Sequence, residues 1–322
     1  MSTTTDIIKD TKPLNLAEER QKFLDDPSYN PQFSYAREIH PEELVAWGIP
    51  KESHYNHALR MIEQWQTDEQ SKPIVPKTPL VTEPYIEEKI AEFNARLSLT
   101  HPVSAKFTAN TISRCLLSGS TLVFRTPMKY TKSVLDDLFR HELETHYLRK
   151  HNHHIQGWAD LPDPEFRYTE EGLANLHTFL LREEKLILKT YRTYIAVYLA
   201  QKTSFAQIYA ELTRLHVPEE TAFLLALRTK RGLKDTSRPG GFTKDISYFE
   251  GSVKVWNWIM NANNDPHDLY LGRIGLQHVK EMKKIATTEG LLYPRFFADI
   301  EAYRSHVKAI GERNHFEQLI GA

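Results

Sequence analysis

Apolar residues along this chain of 322 amino acids recur mostly at helical intervals, with one short interval that reads as strand. Leu59, Met61, Ile62 and Trp65 share one side of a segment from about Ser53 to Gln66 and predict a helix there. Ile86, Ile90, Phe93 and Leu97 recur every three or four residues and predict a second, from about Pro84 to Leu97. The pattern then shortens. Ile112–Leu117 and Thr121–Arg125 are two compact runs around Ser118-Gly119-Ser120, which predicts a hairpin. Helix starts follow from Pro and acidic residues after His40, from Ser133 with Asp136 as a capping box, from Thr169, from Ser204 with Gln207, and from Pro218 with Glu219 and Glu220. A further helix is expected from Tyr248 to Met260.

These elements describe an α+β protein, predominantly helical, with a small antiparallel sheet just before a histidine-bearing helix. Three prolines between Lys72 and Pro79 cannot continue a helix and mark a linker. Residues 1–12 are polar and expected as a mobile tail, 13–75 as a helical extension, and 76–322 as the main body. Neither an internal repeat nor a low-complexity tract is present.

Composition narrows the function classes. Hydrophobic residues at 40% and charged ones at 26% support a sizeable core and exclude a disordered chain. A formal net charge of -1 gives no global attraction to nucleic acid or an anionic membrane. Cys115 alone cannot form an intramolecular disulfide and fits a reducing compartment. No apolar run approaches the roughly 18 residues of a membrane span, and the opening residues lack the pattern of a secretory leader. A soluble cytoplasmic protein is the expectation.

The chemistry concentrates in His141-Glu142-Leu143-Glu144-Thr145-His146. Two imidazoles can hold Zn²⁺ and an adjacent carboxylate can take a proton from water. The common zinc-protease spacing is four residues, whereas these histidines are five apart. On a regular α-helix, residues five apart diverge by roughly 140° in azimuth, against roughly 40° for four. Both rings can face one ion only if the helix ends or widens into a π turn between them. The best third ligand lies in Thr169-Glu170-Glu171-Gly172-Leu173-Ala174, where Glu171 is the choice and Glu170 is left to favour the helix dipole. Gly172 within a helix implies close packing, and the expected neighbour is the histidine helix. Blander readings stand beside these: an Arg140–Glu144 pair with solvated histidines, or first-turn acids at 170 and 171. The histidines at 151, 153 and 154 are expected in an exposed loop, and His177 in a hydrogen-bonded structural role.

Three blocks together resemble the metallo tyrosine carboxypeptidases, the microtubule-associated family that removes tyrosine from α-tubulin, with bacterial relatives carrying a Q-E-G-L-A motif. They are His141–Arg149 continuing to Asn152 and Gln156; Thr169–Ala174; and Arg231-Gly232-Leu233 with Gly240–Asp245, Tyr248 and Gly272-Arg273-Ile274. The resemblance implies a zincin-like metallopeptidase body, one Zn²⁺ per chain on His141, His146 and Glu171, and Glu142 as acid/base. It also implies a peptide or protein C-terminus as substrate, such as the α-tubulin tail. A carboxypeptidase must hold the terminal carboxylate, for which Arg231 is the first choice and Lys244 the second, and it needs a donor for the oxyanion, for which Tyr248 or a basic residue of the third block is expected. The basic run Arg228, Lys230, Arg231, Lys234 and Arg238 is the expected face for an acidic tail. Glu144, where the family commonly has Gly, and the basic segment 150–154 depart from the pattern. Two alternatives remain: a bacterial metallopeptidase of the same fold with an unrelated target, and a non-catalytic helical module. Neither the oligomeric state nor the preferred terminal residue is legible.

Overall fold

The computed structural model describes residues 4–67, 79–99, 102–111, 113–159 and 164–321. The proline-rich linker lies outside them except for Pro79. In chain order the elements are α1 (Thr4–Asp10), α2 (Leu16–Asp25), α3 (Pro41–Leu44), α4 (Glu52–Thr67), α5 (Glu83–Leu97), β1 (Ser104–Thr108), β2 (Cys115–Ser118) and β3 (Thr121–Arg125). Then come α6 (Lys132–His141), a π turn (Glu142–Tyr147), α7 (Leu148–Ile155), α8 (Pro164–Phe179), α9 (Leu188–Ala200), α10 (Phe205–Arg214), α11 (Glu219–Lys230), α12 (Ile246–Met260), α13 (Val279–Met282) and α14 (Ile300–Arg313). None of these helices is long and apolar enough to cross a membrane.

The chain divides into two compact units, the first of which takes in a later segment as well as the N-terminal residues. The first gathers residues 1–72, 187–250 and 321–322; the second gathers 73–186 and 251–320. In the first unit, the segment expected as a mobile tail forms α1. Its Ile7 is buried with Leu44, Trp47 and Phe242, and Ile8 packs against the same cluster, so two adjacent apolar side chains anchor a mostly polar stretch. Helix α9 is buried along nearly its whole length, which is why an amphipathic search passes over it. Ser204 caps α10 through a full capping box with Gln207, as its sequence predicts.

The second unit holds the sheet. β2 and β3 form the expected antiparallel pair, but β1 adds in parallel on the other side of β3, so the sheet is mixed with order β1-β3-β2. Leu122 and Phe124 bury one face of the central strand, while β1 alternates polar and apolar residues over only five positions, a signal too short to mark it in sequence. Helix α6 begins two residues earlier than predicted, because Thr131 accepts the Val134 amide and takes the capping role assigned to Ser133.

Helix α8 begins at Pro164, not at Thr169. Glu170 and Glu171 therefore lie in mid-helix, and a first-turn dipole role does not apply to them. Gly172 does mark close packing, but against α12 and not the histidine helix. A Cβ on Gly172 would lie 2.2 Å from the Gly251 carbonyl carbon, and one on Gly251 would lie 2.1 Å from the Tyr168 carbonyl oxygen. Two backbones touch here. Gly172→Ala should therefore cost about 3 kcal/mol of unfolding free energy, read as a lowered midpoint in urea or thermal denaturation; an unchanged midpoint would contradict the backbone contact.

Candidate metal centre

The five-residue histidine spacing is resolved by the backbone. From Glu142 to Tyr147 the helix widens into a π turn, and the Leu148 amide donates five residues back to the Leu143 carbonyl. The sequence expectation of a local widening is met. The two rings, which a regular helix would splay apart, have centroids 4.9 Å apart and an interplanar angle of 77°.

Helix α8 supplies the third group. Glu171 Oε2 lies 3.9 Å from His141 Nε2 and 3.7 Å from His146 Nε2. Donor atoms of the three residues all lie within 4.8 Å of one another, and among the described residues they form the one group of His, Cys, Asp or Glu side chains that could hold an ion. An ion with ligands at about 2.0–2.2 Å in tetrahedral directions spaces them about 3.3–3.6 Å apart. The two Glu171–histidine separations come within a few tenths of an ångström of that. The side chains are largely buried but reach the surface, at 17%, 17% and 15% exposure.

Hydrogen bonds at the far side of each ring decide which nitrogen faces inward. His141 Nδ1 donates to the Ala174 carbonyl at 3.1 Å and to Thr178 Oγ1 at 3.0 Å, the latter itself donating to Ala174. His146 Nδ1 donates to Glu170 Oε1 at 2.9 Å. In the neutral rings both assignments leave Nε2 as the lone-pair nitrogen on the side of Glu171, the tautomer a metal ligand needs. Glu170 also pairs with Arg149, whose side chain is fully buried. Burial works against a charged Glu170, but Arg149 and the His146 hydrogen bond outweigh it and hold its pKa at about 2. Burial likewise opposes a charged His146, yet Glu170, Glu171 and Glu142 push its pKa up to about 9 without an ion. From sequence Glu170 has only a helix-dipole role; in the fold its carboxylate joins His146 to Arg149.

Glu142 is buried at 8% exposure, and its Oε2 accepts the Leu117 amide of β2 at 3.2 Å. The hairpin thus fixes the carboxylate beside the two histidines. The rival pairing of Arg140 with Glu144 does not occur. Arg140 pairs with Asp137, and Glu144 accepts from Arg96 at 2.9 Å and from the Arg295 amide at 3.1 Å. The residue that departs from the family pattern thereby ties the π turn to α5 and to the segment at 295. His151, His153 and His154 belong to α7 and not to a loop, with His153 buried. His177 has the expected structural role, between Thr145 Oγ1 at 2.7 Å and Tyr303 Oη at 3.0 Å.

The proposed substrate residues belong to the first unit, the metal-ligand group to the second. Arg231 and Lys244 are buried at 6% and 8% exposure, contrary to the usual fate of basic loop residues. The Arg231 guanidinium lies 4.4 Å from the Phe242 ring centroid, and its buried Nε has no hydrogen-bond partner among the described residues. Burial lowers its pKa to about 10. Lys244 and Arg228 lie 5.2 and 5.8 Å from the Tyr248 ring centroid, and Arg228 is paired with Asp245. The basic run is therefore not one cationic face. Lys230 is buried with its ammonium on four carbonyls, those of Ala200, Thr203, Arg238 and Gly240, and Arg238 pairs with Asp235.

Comparison with known proteins identifies the family. The family model described as "Microtubule-associated tyrosine carboxypeptidase" matches residues 41–317. The mouse protein named "Putative tyrosine carboxypeptidase MATCAP2" is 26% identical over 96% of this chain and 62% of its own length, and its human counterpart 28% over 96% and 52%. The mouse "Microtubule-associated tyrosine carboxypeptidase 1" is 25% identical over 95% of this chain and 68% of its own length. The chain thus spans between half and about two thirds of these relatives. With a family match across most of its length, the chain belongs to the microtubule-associated tyrosine carboxypeptidase family.

Proposed function

We propose that this chain is a zinc-dependent carboxypeptidase that hydrolyses a C-terminal peptide bond, with His141, His146 and Glu171 holding one Zn²⁺ in a zincin-like body. The observation that carries this reading is the approach of one nitrogen from each imidazole and one carboxylate oxygen from α8 to within 4.8 Å of one another. Bound there, Zn²⁺ would supply Lewis acidity toward water and the scissile carbonyl. Glu142 takes a proton from the attacking water and returns it to the leaving amine. Its hydrogen bond from Leu117 holds the carboxylate in place for both transfers. Burial of the surrounding side chains limits water, which strengthens each charge interaction. Three protein donors also favour a catalytic over a structural ion, since structural zinc takes four.

The terminal carboxylate is assigned to Arg231, with Lys244 as the second choice, and the oxyanion to Tyr248. A guanidinium 94% buried with an unpartnered Nε is costly unless an anion completes it. The relatives' names point to tyrosine as the released residue and to microtubules as the setting, so an α-tubulin tail is the proposed substrate and the cytoplasm its place. A metallopeptidase with another target is the second reading, favoured by Glu144 and the basic segment 150–154.

Removal of the metal by chelation should abolish hydrolysis of a peptide ending in tyrosine, and added Zn²⁺ should restore it. Glu142→Gln should lower kcat by about 10²–10⁴-fold while metal analysis still finds one zinc per chain; normal turnover would remove Glu142 from its role. Arg231→Gln should raise KM for free-acid peptides roughly 10- to 100-fold and erase their advantage over C-terminal amides. Mass spectrometry of a panel ending in Tyr, Phe, Leu or Glu separates the two substrate readings: a preference for tyrosine supports the first, indifference the second.

A further inference from the structure

We infer that Glu170 is a positioning residue of the metal centre, its carboxylate bridging the His146 ring and the buried Arg149 so that the ring's orientation is tied to the segment 269–274. This rests on the metallopeptidase reading and adds to it a residue outside the ligand set.

The geometry is continuous from ring to loop. Glu170 Oε1 receives His146 Nδ1 at 2.9 Å, and Oε2 receives Arg149. Arg149 spends its remaining donors on backbone: Nε on the Leu269 carbonyl at 2.8 Å, and Nη2 on Gly272 at 3.1 Å and Ile274 at 2.8 Å. An imidazole on a π turn can still rotate about its ring bond, and the Nδ1 hydrogen bond is what stops that rotation. The same bond fixes the tautomer and raises the basicity of Nε2. Glu170 also sits one residue before Glu171 on α8, so one helix both supplies a ligand and orients another. In the Q-E-G-L-A relatives Gln stands at this position. An amide can accept the Nδ1 proton but cannot offer a charged oxygen to each partner, so this chain holds the ring more firmly.

The simpler alternative is that Glu170 and Arg149 are a buried ion pair joining α7 to α8, with no bearing on the metal. Zinc affinity of the apoprotein separates the two, measured by competition with a chromophoric chelator and paired with melting curves of the metal-free proteins. Glu170→Ala should weaken Zn²⁺ binding by about 10- to 100-fold, and lower kcat on a tyrosine-ending peptide while KM stays within a factor of about two. Glu170→Gln, which retains an acceptor for Nδ1, should recover most of the affinity. Glu165→Gln, an exposed change on the same helix, should leave binding unchanged. Glu170→Ala protein that binds zinc within twofold of the unaltered chain overturns the inference. If that variant melts below the assay temperature, Glu170→Asp decides on the same scale: its shorter arm withdraws from His146 while keeping a charge beside Arg149. Unaltered protein that takes up no zinc overturns the metallopeptidase reading together with this one.

Discussion

Everything at the centre depends on one irregularity, a helix whose two histidines stand five positions apart and which widens to accommodate them. Such a turn exchanges regular hydrogen bonds for poorer ones, so it must be held from outside. The holding groups are specific. Thr145 Oγ1 donates to the Arg140 carbonyl at 2.7 Å, and Tyr270 Oη donates to the Glu144 carbonyl at 2.6 Å. Glu144 is itself held by Arg96 and the Arg295 amide. Each of these bonds is buried or partly buried, where a polar group left unmatched would cost about 1–3 kcal/mol. The widening is thus the arrangement that satisfies its surroundings, and the convergence of the rings follows from it.

The same logic runs outward from the rings. Each histidine meets a carboxylate or backbone acceptor at Nδ1, and each acceptor is held in turn: Ala174 by its helix, Glu170 by Arg149. Asn152 closes a further layer, donating to the Tyr270 and Leu292 carbonyls and accepting the Leu292 amide. The second unit therefore builds its centre as nested shells of matched donors and acceptors, while the first unit buries cations of its own at Lys230 and Arg231.

How much of this was legible depended on the range of the cause. The π turn could be anticipated because a five-residue spacing has only two local solutions. Ser204 with Gln207 announced its helix because a capping box is complete within four residues. Thr169 misled for the opposite reason. A threonine before two acids looks like a helix start, yet in the fold its Oγ1 accepts the Leu276 amide, a partner 107 positions away. Glu170 escaped notice because its partners, His146 and Arg149, lie on another helix. β1 escaped because its alternation runs for only five residues and its partner, β3, lies beyond the next strand in the chain. Gly172 announced a close contact truthfully but could not name the partner.

That contact at Gly172 and Gly251 carries a consequence for divergence. Where two main chains meet without side chains between them, the register of one helix against the other is set by atoms common to every amino acid. Outward-facing positions on α8 can drift in size and charge without sliding the helix along its axis. The two glycines are the exception: adding a methyl at either one pushes the carboxylates of residues 170 and 171 bodily away from their partners.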